Sequence, residues 1–324
     1  METKTDIIII GAGPVALFTV FEAGLLGLEC VLIDNLDKVG GQCSELYPGK
    51  PIYDIPGVAF QTAQEHVDAL LEQIKPFNYE VHLNERVNSI DEICDEDISS
   101  WKVTTSEGNS FQAKSLFIAA GAGSFEPRRP PNIENPDHFL EKGVAYAVKD
   151  KEKYKDKNLI IFGGGDSALD WTIELSKNSK VTLVHRRDEF RGAPHTLSEI
   201  KKLEKEGKIS IKTPFQIKSV NEGEKLNSIT LIDDDGKTET IEVDVILGFF
   251  GLIMKLGPIA EWGLNMDKKT IEVNPENFET NKKGIFAIGD ICFYPGKLKL
   301  ILSGFHEGAL AARGCFKYSR PNEK

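Results

Sequence analysis

Asp6-Ile7-Ile8-Ile9-Ile10-Gly11-Ala12-Gly13-Pro14-Val15-Ala16 places four isoleucines directly before a glycine-rich turn. A short apolar run of β-branched residues reads as a strand buried on both faces. The apolar stretch that follows, to about Leu26, reads as a helix, and Cys30–Ile33 as a second strand that ends on Asp34. Strand, glycine turn, helix and strand together form a phosphate-binding unit. Gly11 allows the tight turn, Gly13 lets the backbone approach a pyrophosphate, and Pro14 and Ala16 open a helix that packs closely on the strand. The helix N-terminus adds partial positive charge.

The pattern occurs twice. Asn158-Leu159-Ile160-Ile161-Phe162-Gly163-Gly164-Gly165-Asp166-Ser167-Ala168 repeats it, with a helix to about Lys177 and a strand at Val181–Val184. Such an internal repeat points to two dinucleotide sites, the second built on Gly163, Gly165, Asp166, Ser167 and Ala168. Asp34 stands 23 residues after Gly11, and Arg186 stands 23 residues after Gly163. A carboxylate in that place accepts hydrogen bonds from ribose hydroxyls and repels a 2′-phosphate, whereas a guanidinium pairs with that phosphate. His185, Arg186 and Arg187, with Arg191 just beyond, concentrate positive charge there. The first turn is therefore expected to hold a dinucleotide without a 2′-phosphate, and the second to hold NADPH. A flavoprotein reductase needs one of each.

The expected fold is α/β, with two Rossmann-like dinucleotide-binding domains of the three-layer ββα type. A helix over Thr62–Ile74 and strands near Trp101–Thr105 and Phe111–Ile118 lie between the repeats. The prolines at 127, 130, 131 and 136 mark an irregular crossing, and Val245–Gly251 a return. Residues 1–122 and 252–324 then form one discontinuous domain, with 123–251 inserted. With 324 residues, both can carry a core of their own. A net charge of −11 excludes a general nucleic-acid binder. No apolar run reaches membrane-span length, and the polar Met1–Asp6 does not read as a signal peptide, so the expected location is cytoplasmic. Five cysteines (30, 43, 94, 292 and 315), with no Cys-x-x-Cys pair, read as buried or half-buried reduced thiols. Together with six scattered histidines, they give no expectation of a metal site.

Over nearly its whole length the chain resembles two-dinucleotide flavoproteins of the thioredoxin-reductase type. Gly40-Gly41-Gln42 is similar to that family's turn under the flavin, and Ala287-Ile288-Gly289-Asp290 to its late motif, whose acid contacts the FAD ribityl chain. Thioredoxin reductases carry a redox Cys-x-x-Cys before the second glycine turn. Here Gly143-Val144-Ala145-Tyr146-Ala147-Val148-Lys149-Asp150 contains no cysteine. Without two thiols no thiol–disulfide relay exists, and the flavin must pass electrons directly to its acceptor. This pattern resembles the ferredoxin–NADP(+) reductases built on the same scaffold. The likeness extends to Gly41–Pro48, Tyr53-Asp54-Ile55, Leu256-Gly257-Pro258-Ile259 and Trp262-Gly263-Leu264. Those reductases more often carry Glu where this chain has Asp34, and they usually continue with a short Ser- or Thr-bearing tail past the position where this sequence stops.

The resemblance implies FAD contacts from Asp34, Gln42, Tyr47, Val87, Phe125 and Asp290, with Tyr47 stacked on the isoalloxazine. It also implies a homodimer, and one-electron delivery to ferredoxin or flavodoxin. No side-chain acid, base or nucleophile is nominated, because the flavin carries the chemistry. Cys43 is expected to pack as a small hydrophobe. An acidic carrier would need a basic patch, for which Arg128, Arg129, Lys297 and Lys299 are candidates. The competing readings are a reductase for an external disulfide and a non-catalytic FAD-binding redox sensor.

Overall fold

The computed structural model describes residues 3–94, 99–130, 133, 136–140, 142–222 and 226–320. It divides into two compact units, Met1–Phe125 with Met254–Lys324, and Glu126–Ile253. The chain crosses from one to the other within the short strands Ser124–Pro127 and Leu252–Lys255, a little beyond the expected limits of 123–251 for the inserted domain.

The first unit opens with β1 (Thr3–Ile10), α1 (Pro14–Leu25) and β2 (Cys30–Ile33). A helix α2 (Ala63–Ile74) follows, then β3 (Tyr79–His82) and a meander of β4 (Val87–Ile93), β5 (Ser100–Thr105) and β6 (Ser110–Ile118). The sheet runs β3-β2-β1-β6-β5-β4. The isoleucines of β1 alternate between two cores, which is why the whole run is apolar. Ile7 and Ile9 join the helix-side core with Leu17, Val67 and Ile74. Ile8 and Ile10 join the opposite core with Trp101, Val103 and Phe111. Thr62 caps α2 reciprocally: its hydroxyl accepts from the Glu65 N–H, and the Glu65 carboxylate accepts from the Thr62 N–H.

The second unit contains β7 (Val144–Ala145), β8 (Asn158–Phe162), α3 (Asp166–Leu175), β9 (Lys180–Val184), α4 (Pro194–Lys205) and β10 (Ile209–Lys212). It continues with β11 (Phe215–Glu222), β12 (Leu226–Asp233), β13 (Thr238–Glu242) and β14 (Val245–Gly248). A parallel sheet β7-β14-β8-β9-β10 is covered on one face by the antiparallel β11-β12-β13. There Ile160 and Phe162 pack with Ile229 and Leu231.

The chain then returns to the first unit with β15 (Ile285–Ala287), parallel to the end of β6, and α5 (Ile301–Ser319). Helix α5 lies along α1, and its glycines explain the close approach. A Cβ on Gly304 or Gly308 would overlap the side chain of Val15 or Thr19 respectively. Each unit is thus an α/β dinucleotide-binding domain with β-strands on one face and helices on the other.

Candidate functional site

In the first unit, parallel pairing sets Ile10 between Ile33 and Ile118, so β1, β2 and β6 end together. The turn leaves β1 at this edge. Gly11 has φ +109°, and an added Cβ would stand 2.5 Å from the Ala119 carbonyl oxygen, so both conformation and space demand glycine. At Gly13, the N-cap of α1, an added Cβ would meet nothing within 4 Å, whereas a Cβ added at Gly41 would lie 3.2 Å from the Gly13 Cα. Pro14 occupies the first helical turn, and Ala16 is fully buried against the sheet.

Asp34 follows β2 and turns back over the glycine turn. Its Oδ2 accepts from the Ala12 N–H at 2.6 Å, and its Oδ1 from the Leu36 N–H at 2.9 Å. Burial pushes this carboxyl up, while the Leu36 and Ala12 N–H groups pull it down. Gln42 begins a single helical turn, Gln42–Glu45, with its Nε2 4.0 Å from where a Cβ on Gly121 would lie. Tyr47 is half-buried against the helix-side core, and the Lys50 Nζ stands 5.6 Å from its ring centroid. Val87 is buried in the opposite core, and Phe125 is half-buried at the end of the unit's first segment.

Asp290 approaches from the far end of the sequence. A Cβ on Gly289 would lie 3.6 Å from the Val15 Cγ2, so this segment rests on the first turn of α1. The Asp290 carboxylate is half-buried, and no donor among the described residues hydrogen-bonds it. Burial pushes it up, against Lys299 and Lys297, which pull it down. The open cradle at Gly13 suits a pyrophosphate, and two carboxylates beside it suit ribose and ribityl hydroxyls. The residues present therefore fit FAD.

The second unit repeats the turn with a change. Gly163 lies against Ala168 and the Phe249 carbonyl, and Gly165 caps α3, where an added Cβ would make only an ordinary contact, 3.9 Å from the Arg191 carbonyl oxygen. The Arg191 N–H donates to the Gly164 carbonyl at 2.6 Å. Asp166 Oδ1 accepts from the Ala193 N–H at 3.3 Å, and Ser167 is exposed. The matched offset of Asp34 and Arg186 does not survive. Gly11 N–H donates to Ile33 O and Gly163 N–H to Val184 O, so the next residues, Asp34 and His185, are the equivalent pair. Helix α3 has 10 residues where α1 has 12, and the second strand ends one residue sooner.

His185 also differs from expectation as a source of charge. Its imidazole packs directly over Gly164, where any Cβ would overlap the ring, and stacks on Phe190 at 5.4 Å. Burial lowers its pKa, and Arg186 and Arg187 lower it further, so the ring is neutral at neutral pH. Positive charge comes from Arg186, Arg187 and Arg191, all exposed.

The model of the family described as pyridine nucleotide-disulphide oxidoreductase matches residues 5–308. The chain belongs to that family. Among curated relatives, a ferredoxin–NADP reductase of Pelagibacter ubique (strain HTCC1062) is 57% identical over 323 residues, 99% of this chain and 94% of the relative. One of Nitrobacter winogradskyi is 51% identical over 322 residues, 99% of this chain and 93% of the relative. Thioredoxin reductase from T. acidophilum superimposes with a TM-score of 0.83 at 21% identity, over 99% of this chain and all of that one. That of Lactococcus lactis gives 0.81 at 23%, over 97% and 99%. These two share the fold.

In this pyridine nucleotide-disulphide oxidoreductase, Cys30, Cys43, Cys292 and Cys315 are buried and unpaired. Burial pushes the thiols of Cys43 and Cys315 up to about 11, and those of Cys30 and Cys292 further still. A thiol held so far from ionisation is not a nucleophile. Cys94 is exposed, against the expectation that every thiol is covered, because it lies just past the end of the edge strand β4. The candidate basic patch is reduced in the same way. Lys297, whose side chain is 5% exposed, pairs with the buried Glu307. Arg129 bonds Asp137 and lies 4.4 Å from the Tyr146 ring centroid. Arg128 and Lys299 remain exposed. Sequence reasoning missed Glu307 altogether. Its signal was a lone acid among small residues, Gly304, Gly308, Ala311 and Ala312, in a helix whose spacing buries that face.

Proposed function

We propose that this chain is a ferredoxin–NADP reductase, with FAD on the first unit and NADPH on the second, delivering electrons singly to ferredoxin or flavodoxin. Bound FAD supplies the two-electron to one-electron conversion. The protein's own residues bind and orient. The Gly11–Gly13 turn and the α1 N-terminus receive the pyrophosphate, and Asp34, fixed by the Ala12 and Leu36 N–H groups, receives ribose. Asp290 receives a ribityl hydroxyl. In the second unit, the α3 N-terminus takes the other pyrophosphate, and Arg186, Arg187 and Arg191 take the 2′-phosphate.

The observation that carries this reading is the exchange at one structural position of the repeated unit. Asp34 bonds the turn in the first unit, whereas His185, neutral and followed by two exposed arginines, covers the turn in the second. One site accepts ribose hydroxyls and the other tolerates a phosphate. Names and near-complete overlap of the relatives support the acceptor, as does a chain without a paired thiol. Of the four candidate cations, Lys299 on the first unit and Arg128 on the second are each exposed.

The deciding experiment measures NADPH oxidation by the FAD-loaded protein with ferredoxin, flavodoxin, thioredoxin or a small disulfide as acceptor. Turnover with ferredoxin or flavodoxin is expected. Turnover with a disulfide alone would establish an external-disulfide reductase, and a flavin that stays oxidised under anaerobic NADPH would establish a binding protein.

A further inference from the structure

Glu307, in the middle of α5, is fully buried, yet its carboxylate is paired with the Lys297 ammonium. Four donors meet its two oxygens. Oε2 accepts from the Gly289 N–H at 2.7 Å and the Cys292 thiol at 3.4 Å. Oε1 accepts from the Tyr294 hydroxyl at 2.9 Å and from the Lys297 ammonium. A carboxylate has about four acceptor sites, so this one is saturated. All four donors come from a single stretch, residues 289–297, between β15 and α5.

Burying an ion pair costs desolvation on both sides, and a well-packed apolar pair of the same volume serves stability as well or better. The arrangement therefore calls for a reason beyond stability, and its location supplies one. Gly289 rests on Val15 of α1, and α5 is pressed to α1 through Gly304 and Gly308. The gripped N–H belongs to the residue directly before Asp290. Lys299 and Lys297 both pull the Asp290 carboxyl down, and Lys297 is paired with Glu307.

We propose that Glu307 and Lys297 are positioning residues for the flavin: Glu307 fixes the Gly289–Asp290 segment against α1 and holds the Lys297 ammonium away from the Asp290 carboxylate. This rests on the reading that the first unit binds FAD with Asp290 toward its ribityl chain. Neutralising Glu307 releases a buried lysine, free to turn toward the Asp290 carboxylate that it already attracts. That carboxylate would then be engaged by protein and lost to the ligand. Removing the lysine at the same time abolishes the competition.

The test measures the Kd of FAD for apo-protein by flavin fluorescence quenching, and the thermal midpoint of the same apo-protein, for parent, Glu307→Gln and the double variant Lys297→Met/Glu307→Gln. Glu307→Gln is expected to weaken FAD about tenfold or more, as loss of a charge-assisted bond does. The double variant should recover to within roughly threefold of parent. Recovery is the readout that a purely structural role does not give. A Glu307→Gln protein that binds FAD like parent, or a double variant as weak as the single one, overturns the proposal. If Glu307→Gln does not fold, Glu307→Asp keeps the charge but shortens the reach to Gly289. Weaker FAD binding at an unchanged apo midpoint supports the proposal, and unaltered binding overturns it. A parent apo-protein that takes up no FAD fails the underlying reading instead, and is told apart because no variant comparison then arises.

Discussion

Gly164→Ala isolates the part of the second site that the structure decided. The new methyl would overlap the Cε1, Nε2 and Nδ1 atoms of the His185 ring. The backbone need not move, because the obstruction is a side chain that can swing outward. What is lost is the ring's seat on the turn and its stack on Phe190, centroids 5.4 Å apart. Small overpacking of this kind costs about 1–3 kcal/mol, and an aromatic pair contributes about 0.5–1.5 kcal/mol beyond area. A cost of about 1–2 kcal/mol expressed at the nucleotide site is about a 5- to 30-fold rise in the KM for NADPH. FAD content and the flavin spectrum should not change, since the glycine turn of the first unit is untouched. Steady-state kinetics of Gly164→Ala, His185→Ala and the double variant decide it. Once His185 is shortened to Ala, the three atoms nearest the methyl at 164 are gone, so the double variant should match His185→Ala alone. Additive losses in the double variant, or a KM that Gly164→Ala leaves unaltered, would refute the seating of His185 on the turn.

Arg186→Ala and Arg187→Ala should each raise the KM for NADPH about ten- to a hundredfold and leave that for NADH nearly unchanged, as loss of a charge-assisted bond predicts; equal losses with both nucleotides would remove the 2′-phosphate role. Asp290→Asn should weaken FAD while stabilising the apo-protein at neutral pH. Burial raises the Asp290 carboxyl, so its favourable contribution is present in acid and is lost as pH rises through the folded-state pKa. The apo thermal midpoint of Asp290→Asn should therefore gain on parent from acid toward neutral pH, and a gap that shrinks with pH counts against the burial cost. Cys43→Ala should keep full ferredoxin-linked turnover, because that thiol is buried and pushed up to about 11; a folded, FAD-replete variant without turnover would restore a lone-thiol mechanism.

The local sequence determined the repeated unit, because each of its parts is a short-range matter. Four isoleucines make a strand buried on both sides, Gly11 has a backbone angle that side chains resist, and Ala16 and Ala168 leave room for close packing. The absence of a Cys-x-x-Cys pair was likewise visible in the residues alone. Tertiary structure decided what depends on partners far apart in the chain. Counting from the glycines paired Asp34 with Arg186, but strand register pairs it with His185, because helix length and the strand end, not residue count, set the position. Lys297 looked like a surface cation until Glu307, 10 residues away on another element, was seen to take it inside. No pattern of charges in sequence shows which lysine is solvated. That is settled by which helix face is pressed against the core, and here two glycines on α5 bring Glu307 down onto the loop that carries Asp290.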